Sequence, residues 1–154
     1  MLRAMLGFHE DAEGHWVAEL ACGHTQHVRH QPPFTLRPWT LTAEGRADRV
    51  GQKLECALCD RREMPAGHVP YKRTPAFRRE TIPAGLLHQH ETKPGVWAIL
   101  SVIGGNLEFF EATAAGETRA ALVAGANQVI LPEVQHRVAA QSEVEFCVEF
   151  WRAG

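Results

Sequence analysis

Leu86-Leu87-His88-Gln89-His90 is the stretch that decides the fold, and its counterpart is Leu131-Pro132-Glu133-Val134-Gln135-His136, whose histidine follows 46 residues after His90. Successive side chains of a strand point to opposite faces, so we expect His88 and His90 to project the same way. Between the two stretches, apolar runs are broken by glycine, which indicates consecutive strands joined by tight turns. Histidines at the far ends of such a β unit can converge on one metal ion.

The second half of the chain predicts a series of antiparallel strands, typical of a small barrel or sandwich. Glycine-containing and polar pairs mark the expected turns at Gly104-Gly105, Ala115-Gly116, Gly125-Ala126 and Gln141-Ser142. The predicted strands cover residues 98–103, 107–113, 118–123, 127–131, 135–139 and 144–151.

Residues 86–138 resemble the two half-motifs of the cupin superfamily: a His-x-His, strands with a glycine turn, then a glycine, a proline turn and a third histidine. The glutamate usual in the first motif would fall near Trp97 or Ala98 and is missing. More narrowly, residues 69–152 resemble the small tellurite-resistance-type (TehB/YeaR-like) cupins. The segments that carry this resemblance are Tyr71-Lys72-Arg73-Thr74-Pro75, Thr81-Ile82-Pro83-Ala84-Gly85, Pro94-Gly95-Val96-Trp97 and Val148-Glu149-Phe150. The resemblance implies a C-terminal jelly-roll barrel.

The resemblance also implies a divalent metal site, whose metal the sequence does not identify. The family pattern includes a histidine at the position of His90 and a Glu-x-x-His at positions 133–136. His90 and His136 are therefore the leading ligand candidates. His88 occupies a position that varies in the family pattern and is a weaker candidate. Glu133 and Glu149 are the available carboxylates, and two imidazoles with one carboxylate can hold a metal with open positions for chemistry.

The position of Glu149 in its strand argues against a role as ligand. Strand alternation places the apolar residues of this segment on one face and Glu149 on the other. If the phenylalanine face lines the interior, Glu149 points outward. The apolar set is Val144, Phe146, Val148 and Phe150, and the opposite set is Glu145, Cys147, Glu149 and Trp151.

Residues 1–67 differ in composition and predict a small zinc-ribbon-like domain that holds a structural zinc ion. The proposed ligands are Cys22 and His24 from a Cys-Gly-His knuckle and Cys56 and Cys59 from a Cys-x-x-Cys. Zinc prefers four thiolate or imidazole ligands in a tetrahedron. A unit of this size with few large apolar residues cannot bury enough surface to fold readily without such a staple.

Three alternatives to this zinc site stay open on the sequence alone. His27 and His30 follow the knuckle closely and compete with His24 for the fourth ligand position. The cysteines could instead be reduced thiols of a small core, or Cys56 and Cys59 could serve in redox chemistry.

Local signals in this N-terminal segment predict three features. Residues 15–20 alternate as a strand that ends at the knuckle, where Gly23 permits a tight turn. Thr42 is a candidate cap for a short helix that extends to Val50 and ends at Gly51.

Length and charge bound the domain count and the partners. The 154 residues suffice for two small domains, and the segment 64–70, rich in proline and glycine, sets the predicted boundary, giving domains 1–67 and 68–154. The net charge is −2, and each half carries eight Lys/Arg against nine Asp/Glu, which disfavours nucleic-acid binding. No run reaches the ~18 apolar residues of a membrane span. The N-terminus does not resemble a signal peptide, so we expect a cytoplasmic protein.

No nucleophile–base pair, P-loop or dinucleotide motif occurs, so a metal would have to carry any reaction. The first hypothesis is a metal-binding small cupin that acts on, or sequesters, a small polar molecule. The family resemblance adds a link to tellurite or nitrosative stress. The alternative is a non-catalytic sensor or protein-interaction module with a structural zinc, and the sequence leaves open whether the protein is an enzyme. Small cupins expose sheet edges and apolar outer faces, so the resemblance implies a homodimer through the cupin half.

Overall fold

The computed structural model describes residues 1–154 and divides the chain into two compact units, Met1–Pro65 and Ala66–Gly154. The structure is mainly β, and every pair of neighbouring strands is antiparallel, which confirms the predicted fold class at this level. None of the helices has the length and apolar character needed to cross a lipid bilayer.

The N-terminal unit is built on a four-stranded sheet with the strand order β3-β2-β1-β4. Two short helices and one 3₁₀ turn at Pro38–Leu41 complete it. The elements are β1 (Leu2–Glu10), β2 (Trp16–Leu20), β3 (Thr25–His27), α1 (Ala43–Ala47), β4 (Lys53–Glu55) and α2 (Ala57–Asp60).

Three local predictions for this unit are confirmed. Strand β2 spans the predicted alternating segment, and Gly23 closes the following turn with a positive φ of 89° and an N–H that donates to the Leu20 carbonyl at 2.8 Å. Thr42 caps α1, because its hydroxyl accepts a hydrogen bond from the Gly45 N–H at 3.1 Å. The helix ends at Ala47, earlier than predicted, and the chain reaches Gly51 through turns.

The C-terminal unit is a seven-stranded sheet arranged around one very long strand. One helix, α3 (Ala84–Leu87), and a 3₁₀ turn at Arg79–Thr81 precede that strand. The strands are β5 (His68–Arg73), β6 (Phe77–Arg78), β7 (Trp97–Thr113), β8 (Gly116–Val123), β9 (Asn127–Ile130), β10 (His136–Ala139) and β11 (Val144–Ala153).

Strand β7 pairs with four other strands along its 17 residues. Its first part lies between β9 and β11, and its second part lies between β8 and β10. The change of partners occurs around Gly104-Gly105, next to Ile103, where the register against β11 shifts. One strand therefore joins two sets of neighbours into a single layer that curves around the interior.

The interior of this unit is filled by alternating residues of five strands, β7 to β11. On β11 the residues that face it are Val144, Phe146 and Val148, so the predicted alternation is confirmed. The full buried cluster consists of Ala98, Leu100, Val102, Leu107, Phe109, Leu122, Ile130, Val138, Val144, Phe146 and Val148. Burial of this apolar surface is the main stabilising contribution to the fold of the unit.

Two sequence predictions for this unit are wrong. Residues 88–90 do not form a strand: α3 ends at Leu87, and His90 makes only a single bridge to His136. Gly104-Gly105 is not a hairpin turn, because β7 continues through both glycines. Gly105 has a φ of +71°, and an added Cβ would lie 2.0 Å from the Glu143 carbonyl oxygen. The two glycines permit a β-bulge and the close approach of the β7 backbone to the Glu143 backbone.

Candidate functional site

Two turns bring four candidate metal ligands together in the N-terminal unit. The tight turn after β2 presents Cys22 and His24, and the start of α2 presents Cys56 and Cys59. All four side chains are buried, and their ligand atoms lie within 4.8 Å of one another. The structure thus assembles the four residues predicted from the sequence into a candidate metal-binding cluster.

The spacing of these atoms matches a tetrahedral site. Zn–S bonds of about 2.3 Å and Zn–N bonds of about 2.0 Å give tetrahedral edges of about 3.8 Å between sulfurs and about 3.5 Å between sulfur and nitrogen. The Sγ atoms of Cys22 and Cys56 lie 3.9 Å apart. His24 Nδ1 lies 3.4, 3.5 and 3.7 Å from the Sγ atoms of Cys22, Cys56 and Cys59. The donor set and its dimensions therefore fit one small divalent cation.

Hydrogen bonds and burial shift the pKa values of the three thiols in the cluster. The Cys59 thiol donates a hydrogen bond to Cys22, which lowers the pKa of Cys22 and raises the pKa of Cys59. Burial is the main cause that raises the pKa of Cys56. Three thiolates cannot gather here without a positive charge, and a bound divalent cation would supply that charge.

Arg3 lies next to the cluster and was not anticipated from the sequence. Its side chain is 5% exposed and forms a hydrogen bond with the Cys59 sulfur that lowers the pKa of that thiol. Three thiolates, one neutral imidazole and one divalent cation carry a net charge of −1. With such a cation bound, the buried guanidinium would balance that charge.

The rival histidines have other partners. His27 Nε2 lies 2.8 Å from the Asp11 carboxylate, and His30 Nδ1 accepts a hydrogen bond from the Arg37 N–H at 3.0 Å. Among the three histidines considered, the structure places His24 in the cluster.

The second candidate site is a pair of imidazoles in the C-terminal unit. His90 and His136 exchange two backbone hydrogen bonds of 3.0 and 2.8 Å, and their ring centroids are 4.2 Å apart. His136 is buried and also stacks on Phe109 at 5.8 Å. Burial is the main cause that lowers the pKa of His136, which favours the neutral ring.

Backbone carbonyls fix the tautomer of both rings. His90 Nδ1 lies 2.9 Å from the His88 carbonyl oxygen, and His136 Nδ1 lies 2.8 Å from the Val134 carbonyl oxygen. A carbonyl only accepts, so each Nδ1 must carry the proton. In the neutral form of this tautomer the lone pair resides on Nε2, which is the arrangement found in metal-ligating histidines.

Both imidazoles line a cavity of about 420 Å³. Its walls are mainly apolar, and a small number of polar groups project from the surrounding segments. Such a combination is typical of a pocket for a small molecule. The apolar lining includes Tyr71, Phe77, Leu86, Val96, Leu100, Ile130, Val138, Val148 and Phe150, and the polar lining includes Lys72, Thr74, His90, Glu91, Thr92, Lys93 and His136.

The other predicted ligands do not join the imidazole pair in a group of three or more donors. His88 is exposed, and its contribution is the carbonyl that orients His90. Glu133 is exposed, has a φ of +56°, and donates its backbone N–H to the Thr92 carbonyl. Glu149 pairs with Arg73 across β5 and β11 and does not line the cavity.

Two further features near the imidazole pair were not anticipated. Glu111 is 5% exposed and lies directly across from His136 in the pairing of β7 with β10. The alternation Leu107, Phe109, Glu111 could have revealed it as an inward-facing carboxylate. Lys72 and Lys93 line the cavity, and no sequence motif distinguishes them from solvent-exposed lysines.

Two family models match the chain. Residues 6–63 match a family described as a protein of unknown function, DUF3565. Residues 72–148, which are half of the chain, match the TehB-like domain. The chain belongs to the TehB-like family. The cavity and the His90–His136 pair lie almost entirely within this TehB-like segment.

Curated relatives match the same part of the chain. The probable S-adenosyl-L-methionine-dependent methyltransferase TehB of Haemophilus influenzae is 32% identical over 76 residues, which are 47% of this chain and 27% of the relative. The YeaR protein of Escherichia coli K12 is 28% identical over 99 residues, which are 59% of this chain and 83% of YeaR. The chain therefore spans only about a quarter of the TehB relatives it matches and most of YeaR.

Solved structures agree with these similarities. A crystal structure of an Escherichia coli K12 protein superposes with a TM-score of 0.53 at 28% identity and covers 58% of this chain and 95% of that protein. The crystal structure of TehB from Haemophilus influenzae also gives a TM-score of 0.53, at 27% identity, and covers 57% of this chain and 32% of TehB. The TehB-like segment is thus similar in both sequence and fold to these proteins.

Proposed function

We propose that the C-terminal unit is a small cupin that binds a divalent metal ion through His90 and His136 and acts on, or sequesters, a small polar molecule in the adjoining cavity. The observation that carries this proposal is the imidazole pair itself. Two imidazoles, each with its Nδ1–H bound to a carbonyl, line a cavity of about 420 Å³, and Nε2 is the ring nitrogen that each has left for a metal. A metal held by two imidazoles keeps open positions for a ligand.

The strand arrangement supports a jelly-roll barrel. Strand β7 changes partners half-way, and apolar residues from five strands fill the space that the curved layer encloses. The antiparallel pairing also argues against methyl transfer by this chain. Cofactor sites at the carboxyl ends of parallel strands need βαβ units, and the paired strands here are all antiparallel.

The N-terminal unit, in this proposal, is a zinc-ribbon-like domain with a structural zinc on Cys22, His24, Cys56 and Cys59. Support comes from the tetrahedral dimensions of the cluster and from its burial. All four ligands come from the protein, so the site would be closed to substrate and structural in role. All four cysteines of the chain are free thiols, which suits a reducing compartment, and we propose a cytoplasmic protein.

The family of the C-terminal unit suggests a biological setting. We propose a role in tellurite or nitrosative stress, supported by the TehB-like match and the TehB relatives. A homodimer through the C-terminal unit stays part of the proposal, because the unit exposes apolar side chains that include Ile103 and Val123. Light scattering of the full chain at tens of micromolar, a rough range for modest affinities, should give the mass of two chains.

Metal analysis of single variants tests the proposed function. The full chain, purified without added metal, should contain a second metal ion per chain beyond the one at the cysteine cluster. His90→Ala and His136→Ala should each lose this second ion and keep the first, and circular dichroism should show an unchanged β signal. His88→Ala is the matched control and should keep both ions. The contact of His88 with His90 is made by the backbone carbonyl of His88, which alanine retains.

The same metal analysis distinguishes the proposed function from its alternative. If the wild-type chain carries one metal ion only, and His90→Ala with His136→Ala leaves that content unchanged, the metal-binding cupin is wrong. A non-catalytic sensor or protein-interaction module with a structural zinc is then the better description. The observation that favours this alternative is that the imidazole pair lacks a third protein donor.

A further inference from the structure

The distribution of lysines in the chain singles out the cavity. The sequence contains three lysines, and two of them, Lys72 and Lys93, line the cavity beside His90 and His136. Three of the six arginines of the same unit take part in ion pairs instead: Arg78 with Glu145, Arg119 with Glu108, and Arg137 with Glu117. The two lysines form no such pair. Their ammonium groups are therefore available to a ligand.

The strand register directs Lys72 toward the interior side of the sheet. Lys72 lies directly opposite Phe150 in the pairing of β5 with β11, and directly paired residues share one face. Phe150 packs against the buried apolar cluster, so this face is the inner one. The Lys72 ammonium lies 6.0 Å from the centre of the Phe150 ring. Lys72 itself is exposed, so its ammonium lies on the solvent side of the cavity that it lines.

Lys93 approaches the cavity from a different segment. It begins the turn that leads into β7, and its carbonyl accepts a hydrogen bond from the Val96 N–H at 3.0 Å. The one carboxylate in the lining, Glu91, accepts a hydrogen bond from the Gln135 amide at 2.8 Å. Two ammonium groups against one carboxylate give the protein lining a net charge of +1, and a bound divalent metal would raise it further.

The apolar wall of the cavity limits which chemical group of a ligand can lie against it. Leu100, Ile130, Val138 and Val148 belong to the buried apolar cluster and form the inner surface of the cavity. This surface offers dispersion contacts and no hydrogen bonds, so it favours a hydrocarbon group. The cavity thus combines a positively charged set of polar groups with a hydrocarbon wall.

We infer that the cavity binds a small anion that carries an apolar segment, such as a short-chain carboxylate. The anionic end lies among Lys72, Lys93 and the imidazole pair, and the apolar segment contacts the inner wall. This inference rests on the proposed function, since it names the ligand class of the same cavity. It does not require that the metal be present, because the two lysines supply positive charge by themselves.

Calorimetric titration of the full chain with hexanoate and with hexanamide tests the inference. The two probes have similar shape and differ in charge, so hexanoate should bind more tightly. Lys72→Gln and Lys93→Gln should each weaken hexanoate binding about two- to fivefold, and the double variant about tenfold, as expected for partly exposed ion pairs. Hexanamide binding should be unchanged in these variants. Lys72→Arg should bind hexanoate like the wild type.

Arg79→Gln provides the matched control, because it removes one positive charge from an exposed residue that does not line the cavity. Equal binding of the two probes, an unchanged double variant, or an equal loss in Arg79→Gln would each overturn the inference. Metal content is measured in the same samples. Lysine-dependent hexanoate binding in a chain without the second metal would support the inference while the proposed metal-binding function fails.

Discussion

The cluster of Cys22, His24, Cys56 and Cys59 lies at the centre of the N-terminal unit, whereas the His90–His136 pair lies in the wall of the C-terminal unit. The three cysteines of the cluster are among the nine buried apolar residues of the first unit. The second unit buries eleven apolar side chains in one continuous core, and its imidazoles stand beside that core. In the first unit the residues of the candidate site are themselves part of the core. In the second unit other residues form the apolar core, so we expect the fold to persist when the imidazole pair is removed.

The largest expected effect follows from removing one member of the cluster. Cys56→Ala should unfold residues 1–65 and release about one zinc ion per chain, because metal-binding free energies of order 10–16 kcal/mol serve as folding free energy in such units. Elemental analysis and two-dimensional NMR of the full chain should show the loss of metal and of the dispersed N-terminal signals.

Cys147→Ala is the matched control for this experiment. Cys147 is also a buried free thiol, but it lies on β11 of the C-terminal unit. This variant should keep the zinc and both sets of NMR signals. A Cys56→Ala chain whose N-terminal unit stays folded and free of metal would show that the cluster is an ordinary thiol core.

The second prediction addresses the C-terminal unit, where stability should depend on backbone packing. Gly105→Ala should lower the free energy of unfolding by about 2–4 kcal/mol, because the new Cβ meets the Glu143 carbonyl and the residue keeps a positive φ. Gly104→Ala should be nearly neutral, since no atom lies within 4 Å of its added Cβ. Urea unfolding of both variants gives the comparison. Equal effects at the two positions would exclude the bulge as the cause.

The contrast between the two units also separates what the sequence could predict from what it could not. The sequence could predict the cluster because short spacings place Cys22 and His24 on one turn and Cys56 and Cys59 on another. Four such ligand groups in a small domain are most readily accounted for by one shared metal ion. The choice of His24 over His27 was not predictable. It depends on the hydrogen bond between His27 and Asp11, a partner 16 residues away in the sequence.

In the C-terminal unit the alternation of apolar residues predicted most strands, but glycine signals were ambiguous. The pair Gly104-Gly105 suits a hairpin as well as a bulge, and only the approach of the Glu143 carbonyl decides between them. The placement of Lys72 on an inner face depends on its register against Phe150, which is 78 positions away in the numbering of the sequence. Long-range register of this kind leaves no local trace in the sequence.

A smaller effect is expected at Arg3, beside the cluster. Arg3→Met removes the positive charge next to Cys59 while keeping most of the hydrocarbon stem, and should weaken zinc retention about 10–100-fold, as found for groups that support metal ligands. Competition with a chromogenic chelator measures this change. Arg3→Lys keeps the charge and should restore part of the retention. Wild-type retention in Arg3→Met would mean that the guanidinium does not stabilise the thiolates.

The smallest predicted effect concerns the cap of α1. Thr42→Ala removes the hydroxyl that accepts from the Gly45 N–H and should destabilise the N-terminal unit by about 1 kcal/mol. Thr42→Ser keeps the oxygen and should cost much less. Thermal unfolding in excess zinc shows the difference. A cost as large as that of Cys56→Ala would mean that local structure, and not the cluster, holds this unit together.

The continuity of β7 has a consequence for hydrogen exchange in the C-terminal unit. Four strands bond to this one segment, so no pair of them can separate without exposing part of its backbone. Slow amide exchange should therefore spread along the whole of β7, through the glycine bulge, with similar protection in both of its parts. The unit would open to solvent as a single cooperative element and not as two independent hairpins.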